Sequence, residues 1–209
     1  MHRRLVIPKG DFLVHAGDLT GRGTWAEFKD FVEWLAEQPH PIKIFTAGNH
    51  DKVCENELRR CLDLVEKTPG VHMLIDKARA FEGLKFYGSP WTPQFCNWSF
   101  MKDRGAPIRQ VWKKIPADVD ILITHGPPYG HNDLAPPYYS PNQQAVGCFE
   151  LLQQVRTIKP KLHIFGHIHE GYGRTESAEI PTRFVNASIC TGNYQPTNTP
   201  QIINIQGNT

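Results

Sequence analysis

Four short apolar runs each stop at residues able to bind a metal ion or move a proton, and this recurrence constrains the fold more than any other feature. Ile42 to Ala47 ends in Gly48-Asn49-His50-Asp51. Phe12-Leu13-Val14 leads to Gly17-Asp18, and Ile121-Leu122-Ile123 leads to His125-Gly126. Leu162-His163-Ile164-Phe165 leads to Gly166-His167-Ile168-His169. In open α/β sheets ligands bind at the carboxyl ends of the strands. Four strands delivering Asp, Asn or His at the same edge therefore predict one site. The residue types predict a metal centre, because divalent transition metals accept imidazole together with carboxylate and amide oxygens.

The intervening sequence supplies the helices such a sheet needs. Thr24-Trp25-Ala26-Glu27 has the form of a capping box. Trp25, Phe28, Val32 and Leu35 follow on one helical face, and Pro39 and Pro41 end the helix. With the strands Asp11–Ala16 and Ile42–Ala47, this makes a βαβ unit, expected to be parallel with a right-handed crossover. A second helix is expected over Glu55–Lys67. Closely spaced strands at Val71–Ile75, Ala78–Phe81 and Leu84–Tyr87 suggest an antiparallel or mixed sheet. Residues 92–105 read as a polar and aromatic loop, and Ala106–Lys114 as a short helix. The long loop Gly126–Pro141 suits the mouth of a site. Ser140-Pro141 resembles an N-cap followed by proline at the first helical position, opening a helix that carries Val146, Phe149, Leu152 and Val155. Arg183–Cys190 and Gln201–Ile205 read as closing strands.

Composition sets outer limits. A chain of 209 residues, 40% hydrophobic and 21% charged, suits one soluble domain, expected over residues 1–209. Its net charge of +2 does not suggest a general nucleic-acid or membrane-surface binder. Five cysteines, with no CxxC pair and one left over, favour a reducing compartment. Arg3-Arg4 precedes no apolar stretch of signal-peptide type, so a cytoplasmic location is expected. Asn97-Trp98-Ser99 and Asn186-Ala187-Ser188 match the glycosylation pattern and are read as chance.

Each candidate also has a plainer reading. A lone His after a strand is commonly a hydrogen-bonded structural residue, which applies to His125. Gly17-Asp18 could be a turn. His167 and His169, spaced by two on extended backbone, would point both imidazoles to one side. Asp18 offers a carboxylate able to bridge two ions, and Asn49 a neutral oxygen. Four matched strand ends together favour the metal centre. His15, His40, His72 and His163 are read as structural. A serine hydrolase is disfavoured, since no Gly-x-Ser-x-Gly elbow is present.

In this order, Gly17-Asp18, Gly48-Asn49-His50-Asp51, His125-Gly126 and Gly166-His167-Ile168-His169 resemble the calcineurin-like metallophosphoesterases. Tyr87-Gly88-Ser89-Pro90-Trp91, His125-Gly126-Pro127-Pro128, His169-Glu170-Gly171-Tyr172-Gly173 and Val185-Asn186-Ala187-Ser188 extend the resemblance to the metallophosphoesterase-domain-containing subfamily, over nearly the whole chain. The resemblance implies a four-layer α/β/β/α sandwich with mixed sheets. It also implies two divalent ions (Mn, Fe or Zn) and hydrolysis of phosphodiesters, cyclic nucleotides among them, by a metal-bound hydroxide. Carried over by position, Asp18 would bridge the ions, Asn49, His125 and His167 would complete one shell, and His169 would bind the other ion. His50 would stabilise or protonate the leaving oxygen, with Asp51 orienting it. Trp91, Tyr129, Tyr138 and Tyr139 are candidates for stacking on a base.

The family pattern opens with a strand ending in Asp-x-His, which this sequence lacks. The resemblance then implies a sandwich without its first strand, and one ion left with only Asp18 and His169. Nothing supports His2 as a substitute. Either the true start lies upstream of Met1, the preferred reading, or the chain is a degenerate, non-catalytic metal- or nucleotide-binding scaffold retaining one ion. The in-frame codons upstream of Met1 discriminate between the two.

Overall fold

The computed structural model describes residues 2–136 and 144–206. Two sheets lie face to face. The first is parallel throughout, with β1 (Phe12–His15) at its edge, β2 (Ile42–Phe45) central and β3 (Val71–Met73) beyond. The second is mixed. Its β5 (Leu84–Ser89), β8 (Ile121–Thr124), β9 (Leu162–Phe165) and β11 (Arg183–Asn186) run parallel. On its two flanks β4 (Lys77–Phe81) and β10 (Gly173–Thr175) pair antiparallel to β5 and β11. A two-stranded ribbon, β6 (Thr92–Pro93) with β7 (Met101–Lys102), lies within the stretch read as a loop.

Alternation along the strands builds four layers. Ile44 of β2 faces Ile121, Ile123, Leu162 and Ile164 of the second sheet, in a core between the sheets. Phe45, Val71 and Met73 face the other way, against α1 (Trp25–Glu37), α2 (Lys52–Asn56) and α3 (Leu58–Glu66). Leu122 and Phe165 turn outward against α4 (Ala106–Trp112) and α5 (Phe149–Ile158). Each fully buried Phe contributes roughly 1.5–3 kcal/mol, and Phe28, Phe31 and Phe45 all lie in the α1 layer. The α/β/β/α sandwich expected from the sequence is therefore present.

The α1 capping box forms as its sequence predicts. Thr24 Oγ1 accepts from the Glu27 amide at 3.3 Å, and Glu27 Oε2 accepts from the Thr24 amide at 3.1 Å. Other expectations need correction. The helix expected over 55–67 is two helices that meet at Glu57. The last helix starts at Phe149, so Val146 precedes it, and Ser140-Pro141 lies outside the described residues. Residues 201–206 form no strand. Arg174 and Arg183 instead hold the carbonyls of Ile202 and Asn204 at 2.7 and 2.9 Å. Among the described residues no helix is long and apolar enough to cross a membrane.

Candidate metal centre

Parallel pairing brings the polar strand ends together. Hydrogen bonding runs past the strands into the loops: Thr46 N–H donates to His15, His125 N–H to Ser89 and Gly166 N–H to His125. The two sheets are joined at this edge by His125, whose Nδ1 lies 2.9 Å from the Ala16 carbonyl. A carbonyl can only accept, so Nδ1 carries the proton and Nε2 is presented to the site. That Nε2 lies 2.8 Å from Asn49 Oδ1 and 3.4 Å from Asp18 Oδ1. His167 Nδ1 lies 2.9 Å from the same Asn49 oxygen. Two donors held about 2.1 Å from one ion stand roughly 3.0–3.4 Å apart when cis, close to the spacing of these atoms. No three His, Cys, Asp or Glu side chains among the described residues converge unaided. The set closes only through the Asn49 carboxamide.

Electrostatics favour a positive charge at this point. Burial pushes the Asp18 carboxyl upward, but the charge and hydrogen bond of His125, aided by His50, hold it well below the usual range. Burial pulls His125 down, yet Asp18 holds it above its ordinary value. Burial and His125 push His167 down to about 3, which keeps it neutral, as a ligand must be. A carboxylate, an amide oxygen and imidazole lone pairs are the donor set that suits a divalent transition ion. Asp18, Asn49, His125 and His167 thus fit one such ion.

Glycines let these loops meet. At Gly48 a Cβ would collide with Asp18 Oδ1 and come 2.6 Å from His125 Cε1. Gly17 has φ +100°, and a Cβ there would lie 2.6 Å from His125 Nδ1. Asp18 itself takes φ 57°, a left-handed conformation that Asp tolerates better than most residues.

His50 and His169 share one device with His125. His50 Nδ1 faces the Gly21 carbonyl at 3.2 Å, and His169 Nδ1 faces the Thr191 carbonyl at 3.1 Å. Each ring is thereby fixed with Nε2 free, as a carbonyl partner commonly does for a metal-binding His. The His50 amide donates to Asp18 Oδ1 at 3.0 Å.

Two expectations fail on geometry. Asp51 does not orient the His50 ring. Fully buried, it accepts from the amides of Gly48, Leu19 and Thr20 and from Thr20 Oγ1, at 2.7 to 3.1 Å. It ties the Asp18 loop to the Asn49 loop, and is a positioning residue. Burial and the Asp18 charge push it up to about 6 against those hydrogen bonds. His167 and His169 do not lie on extended backbone either. His167 has φ 68° and His169 opens a 3-10 turn, so one ring meets Asn49 and the other Thr191.

Several contacts carry no sequence signal of spacing or periodicity. Asn186, buried on β11, donates to the Ile168 carbonyl at 2.8 Å and to the Asn132 carbonyl at 3.3 Å. It clamps the turn between His167 and His169, and its burial is incompatible with glycosylation. Trp98 lies against the His50 ring at 4.4 Å, and Tyr194 meets His169 edge-to-face at 5.2 Å. Trp91 is engaged elsewhere, with Nε1 on Asp76 at 3.0 Å and Lys102 Nζ over its ring at 4.7 Å. Tyr129 packs edgewise on Phe149, and Tyr138 and Tyr139 lie outside the described residues. His2 is bonded to Asp30 of α1 at 2.9 Å, away from the centre.

The chain is similar to known proteins over most of its length. Metallophosphoesterase domain-containing protein 1 of Homo sapiens is 42% identical over 222 residues, covering 95% of this chain and 66% of that protein. The chain thus spans just under two thirds of that curated relative's length. Among solved structures, TT1561 of Thermus thermophilus aligns with a TM-score of 0.61 at 15% identity, over 85% of this chain and 76% of that one. A phosphopantetheinyl hydrolase from Mycobacterium tuberculosis aligns with 0.58 at 14%, over 88% and 80%. These two likenesses concern the fold alone. The family model for calcineurin-like phosphoesterases matches residues 1–171, and the chain belongs to that family.

Proposed function

We propose that this chain is a metal-dependent phosphodiesterase acting on small phosphodiesters, cyclic nucleotides among them. The observation that carries this is the convergence of Asp18, Asn49, His125 and His167 beside His50, whose amide is bonded to Asp18. Divalent Mn, Fe or Zn in such a shell acidifies bound water and offsets charge on the phosphoryl oxygens. The chain's own residues do the rest. The four donors hold the ion and His169 offers Nε2 toward a second. In its doubly protonated form, with Nδ1–H held on the Gly21 carbonyl, His50 gives the Nε2 proton to the departing alkoxide oxygen and is left as the neutral Nδ1–H ring. Asp51 keeps the two loops in register.

Release of p-nitrophenol from bis-p-nitrophenyl phosphate with added Mn²⁺ tests the reading. General acid catalysis contributes about 10²–10⁴-fold, so His50→Ala should lose about that much on an alkyl leaving group and less on nitrophenol, which departs unaided. No Mn²⁺-dependent turnover, or no loss on His50→Ala with alkyl esters, sinks it.

One observation favours a second reading, a non-catalytic metal- or nucleotide-binding scaffold. Pairwise contacts of 2.8 to 3.4 Å link Asp18, His125, Asn49 and His167 into one group, while Asp18 and His169 alone among the described candidates are left for a second ion. About one tightly held ion per chain, with no hydrolysis of any diester, would select the scaffold.

A further inference from the structure

The segment before β7 is fixed to the candidate metal centre by its backbone, yet leaves two aromatic rings partly open, Phe95 and Trp98, of which Trp98 lies against His50. The Ser99 amide donates to the Asn49 carbonyl at 3.2 Å, so a residue of the centre holds the segment directly. The Phe100 amide donates to Glu55 Oε1 at 3.0 Å, and the Thr92 amide to the Phe100 carbonyl at 2.9 Å. Ser99 and Phe100 are buried, whereas Trp98 between Asn97 and Ser99 keeps 45% of its surface exposed. Its indole lies 4.4 Å from the His50 imidazole, tilted by 45°. What distinguishes Trp98 from the other exposed aromatic side chains is its place, on an anchored segment and against the His50 ring, where a partly open indole offers its face to a ligand of the site.

We propose that Trp98 is the specificity-determining surface of the site, stacking on a planar aromatic ring carried by the leaving alcohol of the ester. The inference rests on the phosphodiesterase reading, in which His50 stands beside the departing oxygen. A ring attached to that oxygen, whether an aryl group or the base of a nucleoside, comes within reach of the indole that borders His50. Stacking is tolerant of ring identity because every such ring has a π-face. The site thereby prefers aryl and nucleoside esters to alkyl ones without reading hydrogen bonds. Trp91 cannot serve, since Asp76, Phe100 and Lys102 already engage its ring.

The test measures binding of phenyl phosphate, adenosine 3′-monophosphate and methyl phosphate by calorimetry with Mn²⁺ present. Wild type is compared with Trp98→Ala and Trp98→Phe, and hydrolysis of bis-p-nitrophenyl phosphate is followed alongside. Base–aromatic stacking loses about tenfold or more on alanine substitution, so Trp98→Ala should weaken the ring-bearing esters about tenfold. Methyl phosphate should change by less than about twofold, and Trp98→Phe should bind near wild type. Loss confined to the adenosine ester assigns the occupant as a nucleobase, and loss confined to phenyl phosphate assigns it as an aryl group. Equal weakening of all three ligands, or of none, overturns the stacking role while Mn²⁺-dependent hydrolysis keeps the phosphodiesterase reading intact. Wild type that neither binds these esters nor hydrolyses the diester overturns both.

Discussion

Nε2 of His125 stands 2.8 Å from the carboxamide oxygen of Asn49, joining residues from different sheets and 76 positions apart in the chain. Because Ala16 takes the proton on Nδ1, the Nε2 lone pair and the Asn49 and Asp18 oxygens face one another. Such a group of acceptors is stable only with a positive charge among them, from a proton or a metal ion. The same contact is where the two halves of the sandwich meet.

Removing either imidazole from this group should cost metal affinity. His125→Ala and His167→Ala are each expected to weaken Mn²⁺ binding more than about tenfold, since even outer partners of metal ligands are worth about 10–100-fold. Metal content after gel filtration measures it. Unchanged content in either variant would falsify the ligand assignment.

Gly48 is predicted to be intolerant because a Cβ there enters the space of Asp18 and His125. Gly48→Ala should cost on the order of 1–3 kcal/mol, as overpacking does, and should abolish metal retention. Gly166→Ala is the control: its nearest atom would be Ser188 Oγ at 3.4 Å, an ordinary contact. Urea unfolding and metal content of the two variants separate a local clash from a general intolerance of loop substitution.

Asp51→Asn keeps the side-chain shape but turns an acceptor oxygen into an NH₂ among four donors. At least one buried donor then loses its partner, at a cost of roughly 1–3 kcal/mol. Thr20→Ala removes the Thr20 Oγ1 bond to Asp51 and should cost less. A smaller loss for Asp51→Asn than for Thr20→Ala would contradict its role as the tie between the loops.

His163 makes stability depend on pH below neutrality. Thr124 Oγ1 donates to Gly126 and so accepts from His163 Nε2–H at 2.8 Å, leaving Nδ1 buried without a partner. Burial, and secondarily His131, push this ring down to about 3. Above its ordinary pKa of about 6.5 both folded and unfolded states are neutral there. As pH falls from there toward 3, only the unfolded state takes up the proton, so stability falls by about 1.4 kcal/mol per pH unit from this group. His163→Gln keeps the donor and does not titrate. It should flatten the pH profile of the urea midpoint between about pH 6.5 and 5, and an unchanged profile would exclude His163 as the source.

Much of the architecture is legible because burial leaves a local trace. Ile121, Leu122 and Ile123 read as an apolar strand, and the second sheet has that strand at its centre, buried on both faces. The capping box of Thr24 and Glu27 is equally local and forms as written. The 201–205 stretch misleads because a brief apolar alternation also suits a coil held by arginines from neighbouring strands. The ribbon of β6 and β7 is invisible for a related reason: two residues per strand are too few for a pattern.

The sequence by itself determined which residue types stand at the four strand ends, since each end is a change from apolar to polar within a few positions. It did not determine what those side chains touch. Only the tertiary structure decided that Asn49 gathers His125 and His167, that Asp51 bonds backbone amides and not His50, and that Gly21 and Thr191 carbonyls aim His50 and His169. The physical reason is that every one of these partners lies 22 or more positions away except Gly48, which Asp51 reaches locally. Contacts at such distances are set by which strands lie side by side within a sheet and, for Asn49, by how the two sheets pack, and no local periodicity records either.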